Sequence, residues 1–119
     1  MNEECWFIRG KHIGPIWVGK LEYHSMGGLA HVDFNWQEAQ RNDLLGFFHS
    51  HPNGLCSPSS RDDRTMRAWV KSEGRPLLCG IFCSKDDACY LYEKRNGKIE
   101  SYAMFGKVFN KDILIAARI

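Results

Sequence analysis

Short apolar runs separated by Gly, Pro, Asn and Asp recur along the chain and predict a series of β-strands. Residues 44–48 are apolar without interruption, which is typical of a strand covered on both faces. The Asn96–Gly97 pair predicts a tight hairpin turn. Further turns are predicted at 25–28 and 85–87, and a loop or short helix at 35–43. The predicted strands cover residues 5–8, 16–21, 29–34, 44–48, 77–83, 89–93 and 98–104.

One segment has the pattern of an amphipathic helix. Ser59 suits the N-cap, and Asp62 falls at the third helical position, as in a capping box. Apolar residues at 66, 69 and 70 form a stripe along one face. Gly74 is expected to end this helix, and Asn110 to begin a short final helix with apolar residues at 113–115. The pattern alone therefore indicates a mainly β domain with one well-marked helix.

Length and composition favour one ordinary globular domain over residues 1–119. Hydrophobic residues make up 44% of the chain and charged residues 25%, so a packed core is expected. The net charge of +2 is too small to indicate a nucleic-acid partner. No apolar stretch is long enough for a membrane helix, and the first residues lack the apolar segment of a signal peptide. We therefore expect a cytoplasmic protein without nucleic-acid or membrane partners.

The chain contains five cysteines, an odd number. Without an export signal, reduced thiols are the simplest interpretation. A second zinc site at Cys79, Cys83 and Cys89 is less favoured than buried, inert thiols, because their neighbours are apolar. Cys56 lies in the loop after the histidine pair, where it either lines a substrate groove or packs against the domain.

Three residues form a candidate metal site: His49, His51 and Asp62. Histidines at i and i+2 of an extended segment point to the same side. Asp62 follows His51 by eleven residues, across a loop rich in Pro and Gly that can fold back. Two His and one carboxylate leave a fourth tetrahedral position for water, which is the pattern of catalytic rather than structural zinc. The sequence thus predicts a Zn²⁺ site.

The surrounding residues extend this pattern into a recognisable motif. Residues 46–52 read Gly-Phe-Phe-His-Ser-His-Pro, seven residues run from Pro52 to Pro58, and Ser-Ser-Arg-Asp ends at Asp62. This run resembles the signature of the JAMM (MPN-plus) metalloprotease family, in particular a small prokaryotic-type JAB domain. The resemblance implies an α/β fold, with a mixed β-sheet flanked by helices as in cytidine deaminases. It also implies zinc as the metal.

The family's signature includes a catalytic Glu on an early strand. Glu3 lies seven residues before Gly10, as that segment requires, and the resemblance implies that it moves protons between water and the leaving amine. Glu4 and Glu22 are poorer candidates. For Ser59, the resemblance implies support of the oxyanion in addition to its role as a helix cap.

The resemblance implies a zinc-dependent peptidase or isopeptidase. Its substrate would be an amide bond after the C-terminal tail of a ubiquitin-like or sulfur-carrier protein. JAMM domains usually have a strand and a helix before the Glu strand, and this chain begins two residues before Glu3. Residues 109–119 or a partner subunit are the candidates to replace them, and a homo-oligomer is a further possibility for the assembly.

Two other functions are compatible with the same motif. One is a non-catalytic MPN-type scaffold or binding module, although such members typically lose a residue of the signature. The other is a DNA-repair-associated protein with nearly the same spacing, which has Asn where Ser50 stands here.

Overall fold

The computed structural model describes residues 3–26, 43–83 and 86–118, and these ranges contain seven strands and one helix. Helix α1 covers Ser60–Glu73. The strands are β1 Glu4–Ile13, β2 Ile16–Met26, β3 Leu44–His51, β4 Leu77–Cys83, β5 Asp86–Arg95, β6 Lys98–Phe109 and β7 Ile113–Arg118.

The seven strands close into a barrel in the order β1-β2-β7-β6-β5-β4-β3. All neighbours are antiparallel except β3 and β4, which are parallel. A parallel pair needs a crossover connection, and α1 supplies it. The helix therefore lies outside the barrel, beside the strand that carries both histidines.

Two apolar layers stabilise this arrangement, one inside the barrel and one between the barrel and α1. The inner layer includes Phe48 and Leu78, and the outer layer includes Phe47, Met66 and Tyr92. Neighbouring residues of a strand point to opposite faces, so β3 contributes to both layers. This explains why residues 44–48 are apolar without alternation.

Helix α1 begins and ends where the sequence predicts. The Ser59 side chain accepts a hydrogen bond from the backbone N–H of Asp62, and both halves of the capping box are present. At the other end, Gly74 has φ +69° and donates its backbone N–H to the carbonyl of Val70, a left-handed cap that glycine adopts without strain. Within the described ranges, no helix is long and apolar enough to cross a membrane.

The predicted α/β fold, with a mixed sheet flanked by helices, is wrong. Strands make up 65% of the described residues, which contain a single helix, and the sheet closes on itself as a seven-stranded barrel. Closure is possible because β7 pairs with β6 on one side and with β2 on the other. Strand β7 therefore joins β2 to β6, two strands whose edges would be unpaired in an open sheet.

The final helix predicted from Asn110 is also wrong, because residues 113–118 form β7. Leu114 and Ala116 are buried, whereas Ile113 and Ile115 are exposed. This alternation has the two-residue period of a strand rather than the period of a helix. Asn110 has φ +53° and forms part of the turn before β7 rather than a helix cap.

Of the remaining predictions, one is confirmed, one is wrong in part, and others fall on residues that the structure does not describe. The hairpin at Asn96–Gly97 is confirmed, with both residues at positive φ between β5 and β6. The turn predicted at 85–87 is wrong for Asp86 and Asp87, which begin β5. The strand predicted at 29–34 and most of the loop or helix predicted at 35–43 lie outside the described residues.

Candidate metal centre

Strand β3 carries both histidines to the same side of the barrel. His49 and His51 follow Phe47 at two-residue intervals, and Phe47 belongs to the apolar layer under α1. The two imidazoles therefore continue the helix-facing side of β3 beyond the apolar residues. Both imidazoles are buried, and they lie against the first turn of α1.

The first turn of α1 provides the third side chain. The backbone N–H of Asp62 donates to Ser59 Oγ at 3.0 Å, and the backbone N–H of Ser59 donates to Asp62 Oδ2 at 3.0 Å. This reciprocal pair fixes the Asp62 side chain against the helix end. The same oxygen, Oδ2, faces the two histidines, so the capping box also aims the carboxylate.

Three atoms converge at this point. Asp62 Oδ2 lies 3.0 Å from His49 Nε2 and 2.9 Å from His51 Nε2, and the two Nε2 atoms are 2.9 Å apart. All three residues are buried, and they are the one group of this kind found among the described residues. The predicted trio is therefore brought together as a group that can hold a metal ion.

The hydrogen bond of the other His51 nitrogen determines which tautomer is present. Nδ1 lies 2.9 Å from the carbonyl oxygen of Leu55. Because a carbonyl only accepts, Nδ1 carries the proton and Nε2 of a neutral ring has a lone pair. That lone pair faces the carboxylate oxygen of Asp62 at 2.9 Å. Two acceptors this close repel each other unless a cation or a proton lies between them, so the contact favours a metal site.

The charge state of Asp62 fits the same role. Burial alone would raise its pKa, but hydrogen bonding to His49, the positive charge of that ring when it is protonated and the Ser59 N–H together lower that pKa below its ordinary value. Asp62 is therefore an ionised carboxylate at neutral pH. Cys5, on the neighbouring strand, is different. Burial, followed by the negative charges of Glu3 and Asp62, raises its pKa from 9.0 to about 12, so it remains a neutral thiol.

Glu3 lies on the same side of the barrel as the metal group, without joining it. Cys5 pairs with His49 in the β1–β3 ladder, and the backbone N–H of Glu4 donates to Ser50 Oγ at 2.8 Å. Glu3 immediately precedes β1, and besides burial, its charge and that of Asp62 raise the pKa of Cys5. Glu3 is half-buried, and it is not among the ligand atoms that lie within 4.8 Å of one another.

The alternative acidic residues have other partners. Glu22 accepts a hydrogen bond from Arg9 at 2.6 Å, away from the histidines. Asp63 accepts from Arg67 at 2.7 Å and from the hydroxyl of Tyr92 at 2.9 Å. Asp63 therefore anchors the first turn of α1 to strand β5 beside Asp62 of the candidate metal group. No local pattern in the sequence indicates this role of Tyr92.

The expectation of five reduced thiols is wrong, because Cys56 and Cys83 form a disulfide. Cys83 pairs with His51 across β3 and β4, so the bond ties the loop after the histidines to the strand beside them. Tyr90 also donates to the Cys56 carbonyl at 2.7 Å. Cys5, Cys79 and Cys89 are free and buried, and they form no second metal group among the described residues.

Comparison with protein-family models agrees with the geometry, whereas comparison with curated proteins finds no match. A family model for prokaryotic homologs of the JAB domain matches residues 3–96, a segment that begins at Glu3 and contains the histidine pair and Asp62. This match confirms the resemblance to a prokaryotic-type JAB domain that the sequence motif indicated. The chain belongs to the family of prokaryotic JAB-domain homologs.

Proposed function

We propose that this chain is a zinc-dependent peptidase that hydrolyses an amide bond after the C-terminal tail of a ubiquitin-like or sulfur-carrier protein. The observation that carries the proposal is the convergence of two imidazole nitrogens and one carboxylate oxygen. Within the described residues no fourth protein ligand joins them, as the open position of a catalytic site requires. The family membership supports a hydrolase of this type.

The donor set fits zinc in both chemistry and spacing. Neutral imidazoles with one carboxylate suit Zn²⁺, whereas Mg²⁺ and Ca²⁺ prefer oxygen ligands alone. Ligands about 2.05 Å from a tetrahedral ion lie roughly 3.3 Å from one another. The three separations here are 2.9–3.0 Å, so an outward movement of a few tenths of an ångström suffices. Zinc bound here would act as a Lewis acid and lower the pKa of a water molecule to about 7.

Glu3 is the proposed general base and acid. Glu3 is half-buried immediately before the strand that pairs with β3, and its charge acts on Cys5 together with that of Asp62. A carboxylate near the metal group, but not among its ligands, is free to accept a proton from the attacking water. It then returns that proton to the leaving amine.

Ser59 is the proposed donor to the oxyanion. Its oxygen already accepts the backbone N–H of Asp62 at 3.0 Å. The hydroxyl proton is not used by that bond, so it can be donated to the negative oxygen of the tetrahedral intermediate. The helix cap would hold the donor in place before substrate arrives.

The surroundings of the site suit an extended peptide tail. His51 is the last residue of β3, and the loop that follows carries Leu55 with 59% of its surface exposed. The Leu55 carbonyl is bonded to His51, so the backbone of this residue is held close to the metal group. We propose that its side chain contacts the apolar part of a substrate tail.

The test uses a sulfur-carrier protein extended by a short peptide after its Gly-Gly end, with cleavage followed by mass spectrometry. We expect zinc-loaded wild-type protein to release the peptide. His51→Ala should lose both zinc and cleavage, while Glu3→Gln should keep zinc and lose cleavage. Glu4→Gln is the matched control and should keep both zinc and cleavage.

Two results would contradict the proposal. Cleavage by zinc-loaded Glu3→Gln at the wild-type rate would show that Glu3 is not the general base. One equivalent of bound zinc in the wild type, without cleavage of ubiquitin-like or sulfur-carrier fusions, would favour a non-catalytic binding module.

A further inference from the structure

A groove on the described surface lies between the C-terminal half of α1 and the β5–β6 hairpin. Its volume is about 640 Å³, within the range of ligand sites. Arg67 lines it five residues after Asp62, or about 7.5 Å along the helix at 1.5 Å per residue, and none of the three residues of the metal group is among its lining residues. It is therefore separate from the candidate metal centre.

Five cationic side chains surround this groove, which we call the basic groove: Arg67, Lys71, Arg75, Lys94 and Lys98. They are five of the sixteen Lys and Arg residues in a chain of net charge +2. No acidic residue is among its described lining residues. The positive charge is thus concentrated here, while the chain as a whole is nearly neutral.

The fold fixes the walls of the basic groove before any partner binds. Arg67 and Lys71 are four residues apart on one helix face. Arg67 bonds to Asp63 at 2.7 Å and also donates to the carbonyl of Ile99 on β6, which joins the helix to the hairpin. Lys94 and Lys98 flank the tight turn of that hairpin.

Three of the cations remain available to a partner. In the part of the chain that the structure describes, no ion pair engages Lys71, Lys94 or Lys98. Their like charges repel one another across the groove, so an anionic occupant would be attracted to it. Arg67 is already neutralised in part by Asp63.

The floor of the basic groove narrows the choice of anion. It is formed by Val70, Pro76 and Ile99, and it has no aromatic residue. Nucleic-acid binding without sequence preference typically uses aromatic side chains on which bases stack, and none is offered here. An apolar floor with a cationic rim instead matches a peptide in which an apolar side chain is flanked by carboxylates.

We propose that the basic groove binds an acidic segment of a partner protein, with one apolar side chain on the floor and Asp or Glu residues against the rim. This binding needs neither metal nor catalysis. In a metallopeptidase it would hold a protein substrate, or a subunit that delivers one, at a second point remote from the scissile bond.

The test measures fluorescence anisotropy with the full chain and a labelled peptide of sequence Glu-Asp-Glu-Leu-Glu-Asp-Glu. We expect saturable binding that weakens as salt rises, because exposed charges are screened. Lys71→Glu with Lys98→Glu should weaken binding by about tenfold or more, since two favourable charge contacts become repulsive. A peptide with Gln in place of every acid should not bind, and one with Ser in place of Leu should bind more weakly.

The control pair is Lys11→Glu with Lys20→Glu, which changes the charge equally at exposed positions outside the basic groove. Circular dichroism checks that both pairs fold. Equal loss of binding in the two pairs would overturn the proposal, as would tighter binding of a single-stranded oligonucleotide or inorganic phosphate than of the peptide. His51→Ala should bind the peptide like the wild type, so this test can succeed or fail independently of the proposed peptidase.

Discussion

The disulfide between Cys56 and Cys83 should make a large contribution to stability, and its removal should also weaken metal binding. The informative variant combines Cys56→Ser with Cys83→Ala. Cys83 is only 1% exposed, so alanine avoids burying an unpaired hydroxyl at that position. Cys56 lies in the exposed loop after the histidines, where serine is tolerated.

The expected loss follows from the length of chain that the bond closes. The two cysteines are 27 residues apart. For a loop of that length, the chain-entropy relation gives about 3.6 kcal/mol of stabilisation at 25 °C. This exceeds the effect of most single substitutions and is a substantial part of the roughly 5–15 kcal/mol that holds a small domain folded.

The effect on metal binding has a different cause. The loop carries the Leu55 carbonyl that holds the Nδ1 proton of His51. Without the disulfide, this loop is tied to β5 by the bond from Tyr90 to the Cys56 carbonyl. Loss of groups that orient a metal-bound histidine typically costs 10–100-fold in affinity. We expect zinc affinity of the double variant to fall by about tenfold.

The assay is urea unfolding of metal-free protein, with and without reductant. Wild-type protein should show three free thiols when denatured without reductant, because three cysteines are unpaired. Reductant should shift its midpoint towards that of the double variant and leave the variant unchanged. Five titratable thiols in wild-type protein denatured without reductant would refute the reasoning. A difference in unfolding free energy below about 0.5 kcal/mol between the wild type and the double variant would refute it as well.

Three smaller predictions concern the support of the site, each measured by urea unfolding. Gly80→Ala places a Cβ 2.0 Å from the ring of Phe48, so we expect a loss of about 1–3 kcal/mol from overpacking, and an unchanged midpoint would contradict that contact. Ser59→Ala removes the cap of α1 and should cost about 1 kcal/mol, whereas no loss would mean that the cap is dispensable. Tyr92→Phe removes the bond that Tyr92 donates to the first turn of α1 and should cost about 1 kcal/mol, and a neutral result would assign the anchoring to packing alone.

The three residues of the candidate metal group could be placed together from the sequence because their arrangement depends on local rules. Two histidines at i and i+2 share a strand face. Ser59 and Asp62 form a capping box within a single turn of α1. Only the folding of the intervening loop is non-local, and its Pro and Gly residues make that turn possible. The role of Glu3 depends on the β1–β3 register, which no local pattern specifies, so its catalytic role stays a prediction.

The barrel and the disulfide could not be predicted in the same way. Ile113 and Ile115 suggested a helix because they were counted with Leu114 as one apolar cluster, although their alternation with buried residues fits a strand. The partner of that strand is β2, almost the whole chain away. Cys56 meets Cys83 because β4 lies beside β3. Both features depend on contacts between distant segments.

The same strand order explains why the helix packs where it does. A parallel β3–β4 pair requires a crossover connection, and the apolar stripe of α1 predicts that the helix packs on the sheet. Met66 and Trp69 lie in the layer with Phe47. The stripe agrees with the observed packing of the helix, while the open sheet flanked by helices that the family resemblance implied is wrong for the described residues, which contain one helix in a closed barrel.

The most direct test of the central claim is the zinc content of purified protein at equilibrium, measured by elemental analysis for the wild type and three variants. We predict one equivalent per chain for the wild type and for Asp63→Ala, whose carboxylate is bonded to Arg67 and Tyr92 instead. His51→Ala and Asp62→Ala should each retain far less than one equivalent. One full equivalent in both of these variants would contradict the assignment of the metal to His49, His51 and Asp62.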